Sequence, residues 1–422
     1  MEAHKKIAII VQRFGKEVNG GAEVHARLLA QKLSEEYEVT ILTSLARDYT
    51  NWRPYFAPGP QTEGNLKIIR FTNAQRASRK RQSHFAWKMR LTNFAQKSLH
   101  LFGVRGKKFN FILNGKLIET TGLKWLEAQG PAMPDLIHYL KNNQACYDAF
   151  IIFTALYYPG ALSALTVPEK AILIPTLHDE KPSYFPVYKK VIELPEWLFF
   201  NTDAEQKLAE RIFSLRLKKK KVVGLGIDLV KDKLIPEPDI PLQYDIKNDY
   251  IIYVGRINKL KGCGVLLKYF KRFQKETKFD LQLVLVGENF MKPASEQNIV
   301  FTGFVDEPVK QQLMLQAKAL IIPSFNESFS LAMLESFAMG VPVIANGNTE
   351  VLRNHIDEGN GGWCYYNYLD FKNAMIQLLT NPELVSAKRK SGYQYVSEKY
   401  SWDRVMNCYK EAIDNISSKS KG

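Results

Sequence analysis

Short apolar runs recur along the chain, separated by longer stretches whose apolar positions repeat at three and four residues. The first pattern predicts strands and the second predicts helices. In the first half the strand candidates are Lys5–Val11, Tyr37–Thr43, Leu66–Phe71, Tyr147–Phe153, Lys170–Pro175, Trp197–Phe200 and Lys220–Val223. In the second half they are Tyr250–Val254, Leu281–Val286, Ile299–Phe301, Ala319–Ile322 and Val341–Ala345. Helical patterns lie between them, for example at Ala22–Glu35, Ala204–Phe213, Val265–Glu276 and Leu331–Met339. Several strand candidates are apolar throughout, as expected for strands covered on both faces. The alternation predicts an α/β architecture with parallel sheets.

The alternation is interrupted around Ile235–Lys247, which holds three prolines and no clear helical pattern. That division predicts a domain over residues 1–230, a linker over 231–247 and a second domain over 248–401. With 422 residues, two domains are the ordinary expectation. No short-period repeat is visible. The apolar run Ile7–Val11 is too short for a signal peptide core. The longest apolar stretch, Ala149–Tyr158, is far below the ~18–20 residues that span a bilayer. A cytoplasmic protein is therefore expected. The cysteines Cys146, Cys263, Cys364 and Cys408 are scattered, without metal-ligand spacing, and read as reduced thiols.

Charge adds one feature. The formal net charge is +15, and residues 64–118 carry thirteen Lys or Arg with no Asp or Glu. Aromatics are interleaved there, and Trp87, Leu91, Phe94, Ala95, Ser98 and Phe102 recur at helical steps within Phe85–Phe102. The ordinary reading is aromatics in a core with charges facing water. The functional one is an anionic partner. No nucleic-acid-binding module accompanies the charge, so no nucleic-acid partner is expected.

The candidate chemistry lies mostly after strands. The segment Ser324–Gly340 reads SFNESFSLAMLESFAMG, with Glu327 in a strand-to-helix loop and Glu335 inside the helix. At ~1.5 Å rise per residue their carboxylates are expected roughly 10–12 Å apart, about the length of a ribosyl-diphospho-sugar. The amides of Ser328, Phe329, Ser330 and Leu331 would form a helix N-terminus suited to phosphate oxygens. Glu335 then suits a ribose diol and Glu327 a sugar. Arg256 and Lys261, in YVGRINKLKG after another strand, would meet a diphosphate. Gly20 and Gly21 follow the first strand and permit close backbone approach, although no G-x-G-x-x-G is present. His178 and Asp179 follow a further strand, and His178 can donate to a sugar hydroxyl. No Asp-x-Asp occurs, so neither a metal nor a bound cofactor is expected.

Together these residues resemble family 4 of the retaining glycosyltransferases, the glycosyl transferases group 1. The resemblance runs through Gly20-Gly21-Ala22-Glu23, His178-Asp179, Gly224-Leu225-Gly226-Ile227-Asp228, Gly255-Arg256, Lys261-Gly262, Gly287, Phe301–Val305 and the Glu327/Glu335 segment. It implies the GT-B fold: two Rossmann-like domains facing each other across a donor cleft, with a C-terminal helix, residues 402–418, crossing back. It also implies that Arg256 and Lys261 hold a diphosphate, Glu327 faces the donor sugar, Glu335 the ribose, the backbone near Phe304 and Val305 the base, and His178 the transferred sugar. By it, Glu327, His178, Arg256 and Lys261 form the catalytic set. The implied activity moves a hexose-type sugar from a nucleoside-diphosphate sugar to a glycan or lipid-linked acceptor. The likeness suggests bacterial surface polysaccharide or glycolipid synthesis. The basic stretch 64–118 would then touch the anionic inner face of the cytoplasmic membrane. A nucleotide-sugar-binding protein without turnover is the alternative. The family commonly has Glu-Gly-Phe-Gly where this chain has Glu327-Ser328-Phe329-Ser330.

Overall fold

A computed structural model describes residues 4–18, 20–75, 80–90, 116–213, 215, 219–229, 234–291 and 298–419. The chain divides into two compact units. One runs to Leu225 and takes back the C-terminal stretch from Met406; the other runs from Gly226 to Val405.

The first unit holds β1 (Lys6–Ile10), β2 (Glu38–Ser44), β3 (Gly59–Glu63), β4 (Leu66–Phe71), β5 (Ala149–Phe153), β6 (Ala171–Ile174), β7 (Trp197–Phe200) and β8 (Lys219–Val222). Their order across the sheet is β3-β4-β2-β1-β5-β6-β7-β8. Every neighbouring pair is parallel except β3–β4, which is antiparallel. The inner strands are apolar because both faces are covered: all five residues of β5 are buried. Edge strand β3, GPQTE, was not predicted, since it alternates polar residues with a Gly-Pro start. Such a sequence is tolerated where only one ladder must form. The C-terminal stretch belongs to this unit through contacts of its own, among them Phe199 against Tyr409 with ring centroids 5.0 Å apart.

The second unit holds β9 (Tyr250–Val254), β10 (Gln282–Val286), β11 (Ile299–Gly303), β12 (Ala319–Ile322), β13 (Val343–Asn346) and β14 (Gly362–Tyr365). All pairs are parallel, in the order β11-β10-β9-β12-β13-β14. That is the 3-2-1-4-5-6 order of a dinucleotide-binding sheet. In the first sheet, β4-β2-β1-β5-β6-β7 repeats the same order. The twelfth predicted strand is thus followed by another, β14, whose GWCY sequence is too short and glycine-led to show a period.

Two expectations need correction. The proline-containing stretch shows no helical pattern in its sequence, yet Asp239–Gln243 forms one turn and a half, with Pro241 buried. Upstream, Gln312 Nε2 donates to the carbonyl of Ile235 at 2.9 Å, so this segment is fastened to the second unit. The helical pattern expected from Phe85 begins earlier, and residues 80–90 are helical. Its inward face is set by Met89, fully buried, and by Phe85 and Ala86 packed on the core. Trp87 is therefore 57% exposed rather than part of an apolar seam. Residues 91–115, where the rest of that pattern falls, lie outside the described residues, as do residues 76–79.

Candidate active site

In sheets of this kind, ligands bind beyond the carboxyl ends of the strands, where the strand order reverses. In the second unit that point lies between β9 and β12. The chain leaves β9 through Gly255 at φ 142° and Arg256, whose carbonyl accepts from Tyr253 Oη at 2.9 Å. It enters the helix Cys263–Glu276 through Gly262 at φ 76°, a conformation that favours glycine. Asn258 Oδ1 accepts from the Lys261 backbone N–H at 2.8 Å and shapes the turn between.

From β12 the chain passes Pro323 and Ser324. The Ser324 carbonyl accepts from Thr349 Oγ1 at 2.7 Å and Asn346 Nδ2 at 3.3 Å. Glu327 follows, and the two loops meet: Lys261 Nζ donates to Glu327 Oε1 at 2.8 Å, with both side chains partly buried. Residues predicted separately from two motifs are thus joined at the switch point. A glycine makes this closeness possible. A Cβ on Gly262 would stand 2.0 Å from the carbonyl oxygen of Pro323.

The helix begins at Leu331, with Ser330 as its N-cap at φ 61° and no side-chain cap. The backbone N–H groups of Met333 and Leu334 donate to the Ser330 carbonyl at 3.0 and 3.4 Å. The amides before Met333 precede the first intrahelical bonds and are those an anion could use. Only Leu331 to Glu335 is helical, so the helix contributes about 6 Å of rise between the two glutamates. The rest of the roughly 10–12 Å expected from the sequence would have to come from the loop that carries Glu327.

Glu335 has a partner that sequence reading missed. Lys310, from the helix Glu307–Leu315, donates to Glu335 Oε2 at 2.9 Å and pairs with Glu307 at 2.8 Å. Burial alone would lower the Lys310 pKa; the two carboxylates outweigh it and hold the ammonium above the ordinary lysine value. That helix starts just beyond Val305, which is half-buried, and Phe304, which is 72% exposed. The second unit therefore presents, outside its strand ends, Arg256, the Lys261–Glu327 pair, the Ser328–Leu331 backbone, the Glu335–Lys310 pair and the open Phe304 face. Among the described residues, no group of three or more His, Cys, Asp or Glu side chains is gathered as for a metal.

The first unit has a corresponding switch point between β1 and β5. Gly20 is the N-cap of the helix Gly21–Leu33, in ordinary extended backbone. Its lack of a side chain has a packing cause: a Cβ there would stand 2.2 Å from Glu23 Oε2. Glu23 is buried and paired to Arg13 at 2.5 Å, and it accepts from Gln12 Nε2 at 3.0 Å. Gly21 has open space where a Cβ would be. His178 is half-buried after β6, and its carbonyl accepts from Ser183 Oγ at 2.7 Å. Asp179 turns instead to Arg211 at 2.6 Å and Tyr184 at 2.7 Å, and those hydrogen bonds hold its carboxyl below the usual range.

The loop carrying His178 rests on a buried carboxyl. Glu205 accepts from the backbone N–H of Leu177 and of Asn201, each at 2.8 Å. Burial lifts its pKa to about 7 despite those donors. The sequence carries the pattern Thr202-x-x-Glu205 of a capping box: the Glu205 N–H donates to Thr202 Oγ1 at 3.2 Å, while the carboxylate reaches one residue further back, to the Asn201 N–H. A cavity of about 570 Å³ in this unit, lined by Lys6, Glu38, Lys67 and Tyr147 among others, lies at the amino ends of the strands, away from this unit's switch point.

Residues 248–381 match the family model described as Glycosyl transferases group 1. The chain is 30% identical over 178 residues to a D-inositol 3-phosphate glycosyltransferase of Jonesia denitrificans, covering 37% of this chain and 42% of that one. It is 28% identical over 185 residues to an uncharacterized glycosyltransferase of Methanocaldococcus jannaschii, covering 39% and 45%. The alignments thus span less than half the length of these relatives. Among solved structures, a sucrose-phosphate synthase from Thermosynechococcus elongatus superposes with a TM-score of 0.68 at 16% identity, over 98% of this chain and all of that one. The Anabaena protein HepE, crystallised with UDP and glucose, gives 0.64 at 15% identity, over 98% and 100%. The chain has the GT-B fold, two parallel-sheet units of Rossmann-like order, and its residues 248–381 match the model of the glycosyl transferases group 1.

Proposed function

We propose that this protein is a retaining, metal-independent glycosyltransferase using a nucleoside-diphosphate sugar. The observation that carries the reading is the Lys261–Glu327 pair at 2.8 Å, formed at the point where the order of the second sheet reverses. Arg256 and Lys261 would neutralise the diphosphate as it leaves. Glu327 would hold the sugar, Glu335 the ribose diol and the Phe304-Val305 backbone the base. The glycosidic C–O bond to phosphate breaks, its electron pair leaves with the diphosphate, and an acceptor hydroxyl forms the new C–O bond as its proton passes to the departing phosphate. HepE was crystallised with UDP and glucose, which favours a uridine-type probe first.

The acceptor class is a glycan or lipid-linked sugar of a bacterial surface polysaccharide or glycolipid pathway, at the cytoplasmic face of the membrane. In support, the helical residues 80–90 expose Trp87 beside exposed Lys80, Arg81, Lys88 and Arg90. Among the described residues no helix is long and apolar enough to cross a membrane. Incubation with UDP-, GDP- and ADP-hexoses, with product configuration read by NMR, tests the central reading. A retained anomer is expected, and an inverted one would refute retention. Donor binding without hydrolysis or transfer to any acceptor would instead favour the inactive sugar-nucleotide binder.

A further inference from the structure

His355 lies on the helix Glu350–Gly359 and is 3% exposed. It faces the back of the Glu327–Leu331 loop. Its Nε2 is 3.0 Å from the carbonyl oxygen of Phe329, and its Nδ1 is 2.9 Å from Tyr395 Oη. A carbonyl only accepts, so Nε2 carries the proton and donates. In the neutral ring Nδ1 must then accept from the tyrosine O–H. The Phe329 ring closes the arrangement, edge-on to His355 at 6.2 Å and to Tyr400 at 5.5 Å between centroids.

The consequence lies one bond further on. In a trans peptide the C=O and the following N–H point in opposite directions. Fixing the Phe329 carbonyl toward His355 therefore aims the Ser330 N–H away from it, out of the core side of the loop. Ser330 itself is at φ 61°, the left-handed region that strains a non-glycine residue. Rotation of this peptide would relieve that conformation and withdraw the amide. The hydrogen bond from His355 opposes the rotation, since it would leave a buried imidazole N–H without its acceptor.

We propose that His355 is a positioning residue: by holding the Phe329 carbonyl it presents the Ser330 amide to the diphosphate of the donor. This rests on the functional reading above. The arrangement also accounts for serines in a loop where the family commonly has glycine. The strained backbone is kept by a buried partner rather than left free to a flexible residue.

The test uses His355→Phe, which keeps a ring and removes the donor, and His355→Gln, whose amide N–H can reach the same carbonyl. Binding of UDP and GDP is compared with that of uridine and guanosine by calorimetry. In His355→Phe, diphosphate affinity falls about tenfold or more, with nucleoside affinity unchanged. In His355→Gln it returns to within about threefold of the wild-type value. Unchanged diphosphate affinity in His355→Phe, or equal loss of diphosphate and nucleoside, overturns the proposal. If His355→Phe does not fold, His355→Leu, which also removes the donor, must show the same selective loss, and its absence overturns the proposal equally. Wild-type protein that binds neither diphosphate refutes the functional reading itself, and this inference with it.

Discussion

Replacing Gly262 with alanine separates backbone crowding from mere conformational preference. At φ 76°, any L side chain there is strained by roughly 1–2 kcal/mol. The added Cβ would also lie 2.0 Å from Pro323 O and 2.7 Å from the Pro323 carbonyl carbon. An ordinary contact needs about 3.4 Å, and the obstacle is backbone, so the loops after β9 and β12 must part by more than 1 Å. Parting them pulls Lys261 from Glu327. The expected loss of stability is about 2–5 kcal/mol, the conformational cost plus overpacking. A misplacement of that size reduces kcat/KM by on the order of 100-fold. Gly64→Ala is the control. It has φ 57°, nothing within 4 Å of its Cβ, and a place in the β3–β4 turn. It should cost only the conformational part and leave turnover intact. Urea denaturation and donor kinetics measure both variants. If Gly262→Ala is as mild as Gly64→Ala on both counts, the loops are not held together by this contact and the argument fails.

Arg256→Ala and Lys261→Ala should each remove about 2–4 kcal/mol of transition-state stabilisation in kcat/KM. Near-normal turnover in both, or strict dependence on a divalent cation, would contradict the proposed clamp. Glu335→Gln should mainly raise the KM for the donor, since it weakens both the ribose contact and the pair with Lys310 at 2.9 Å. Abolished kcat with donor binding intact would assign it a chemical role instead. Burial lowers the His355 pKa from 6.5 to about 4 in the folded state. The stability this neutral imidazole contributes is fully present above pH 6.5 and is lost as pH falls toward 4. Wild type should therefore lose about 2 kcal/mol relative to His355→Gln between pH 7 and pH 5, by chemical denaturation, and a parallel pH dependence would refute it. Glu205, at about 7, acts in the opposite sense and cancels in that comparison.

What could be read from the sequence follows the physics of each element. The buried strands β5, β9, β10 and β12 announced themselves because a strand covered on both faces must be apolar at nearly every position, Gln282 at the start of β10 being the one amide among them. The edge strand β3 and the short β14 did not, since neither is long or apolar enough to show a period. Arg256, Lys261 and Glu327 stood out in the sequence because each follows a strand of a parallel sheet, and Glu335 because it lies in the helix that follows Glu327. Their partners were not. Lys310 reads as an exposed helical lysine, and only the tertiary contact with Glu335 reveals it as partly buried. His355, 26 residues from Phe329 in sequence, gives no periodic or motif signal at all.

The same distinction explains where the family pattern and the chain part company. Gly20 is kept because the Arg13–Glu23 pair fills the space its side chain would need, with the guanidinium 3.0 Å from that position. It marks packing beneath the strand end as much as approach by a ligand. Gly262 and Gly287 are kept because the loops above β9, β10 and β12 touch backbone to backbone; a Cβ on Gly287 would stand 2.2 Å from the Gly255 carbonyl oxygen. In the Glu327–Leu331 loop no such crowding forbids a side chain, so serine is admitted at two positions and the conformation must be enforced from behind. The residue able to do so, His355, comes from the helix after β13. Loop sequence and loop support therefore have to be read together: Ser330 at φ 61° is intelligible only with the Phe329 carbonyl held 3.0 Å from a buried imidazole.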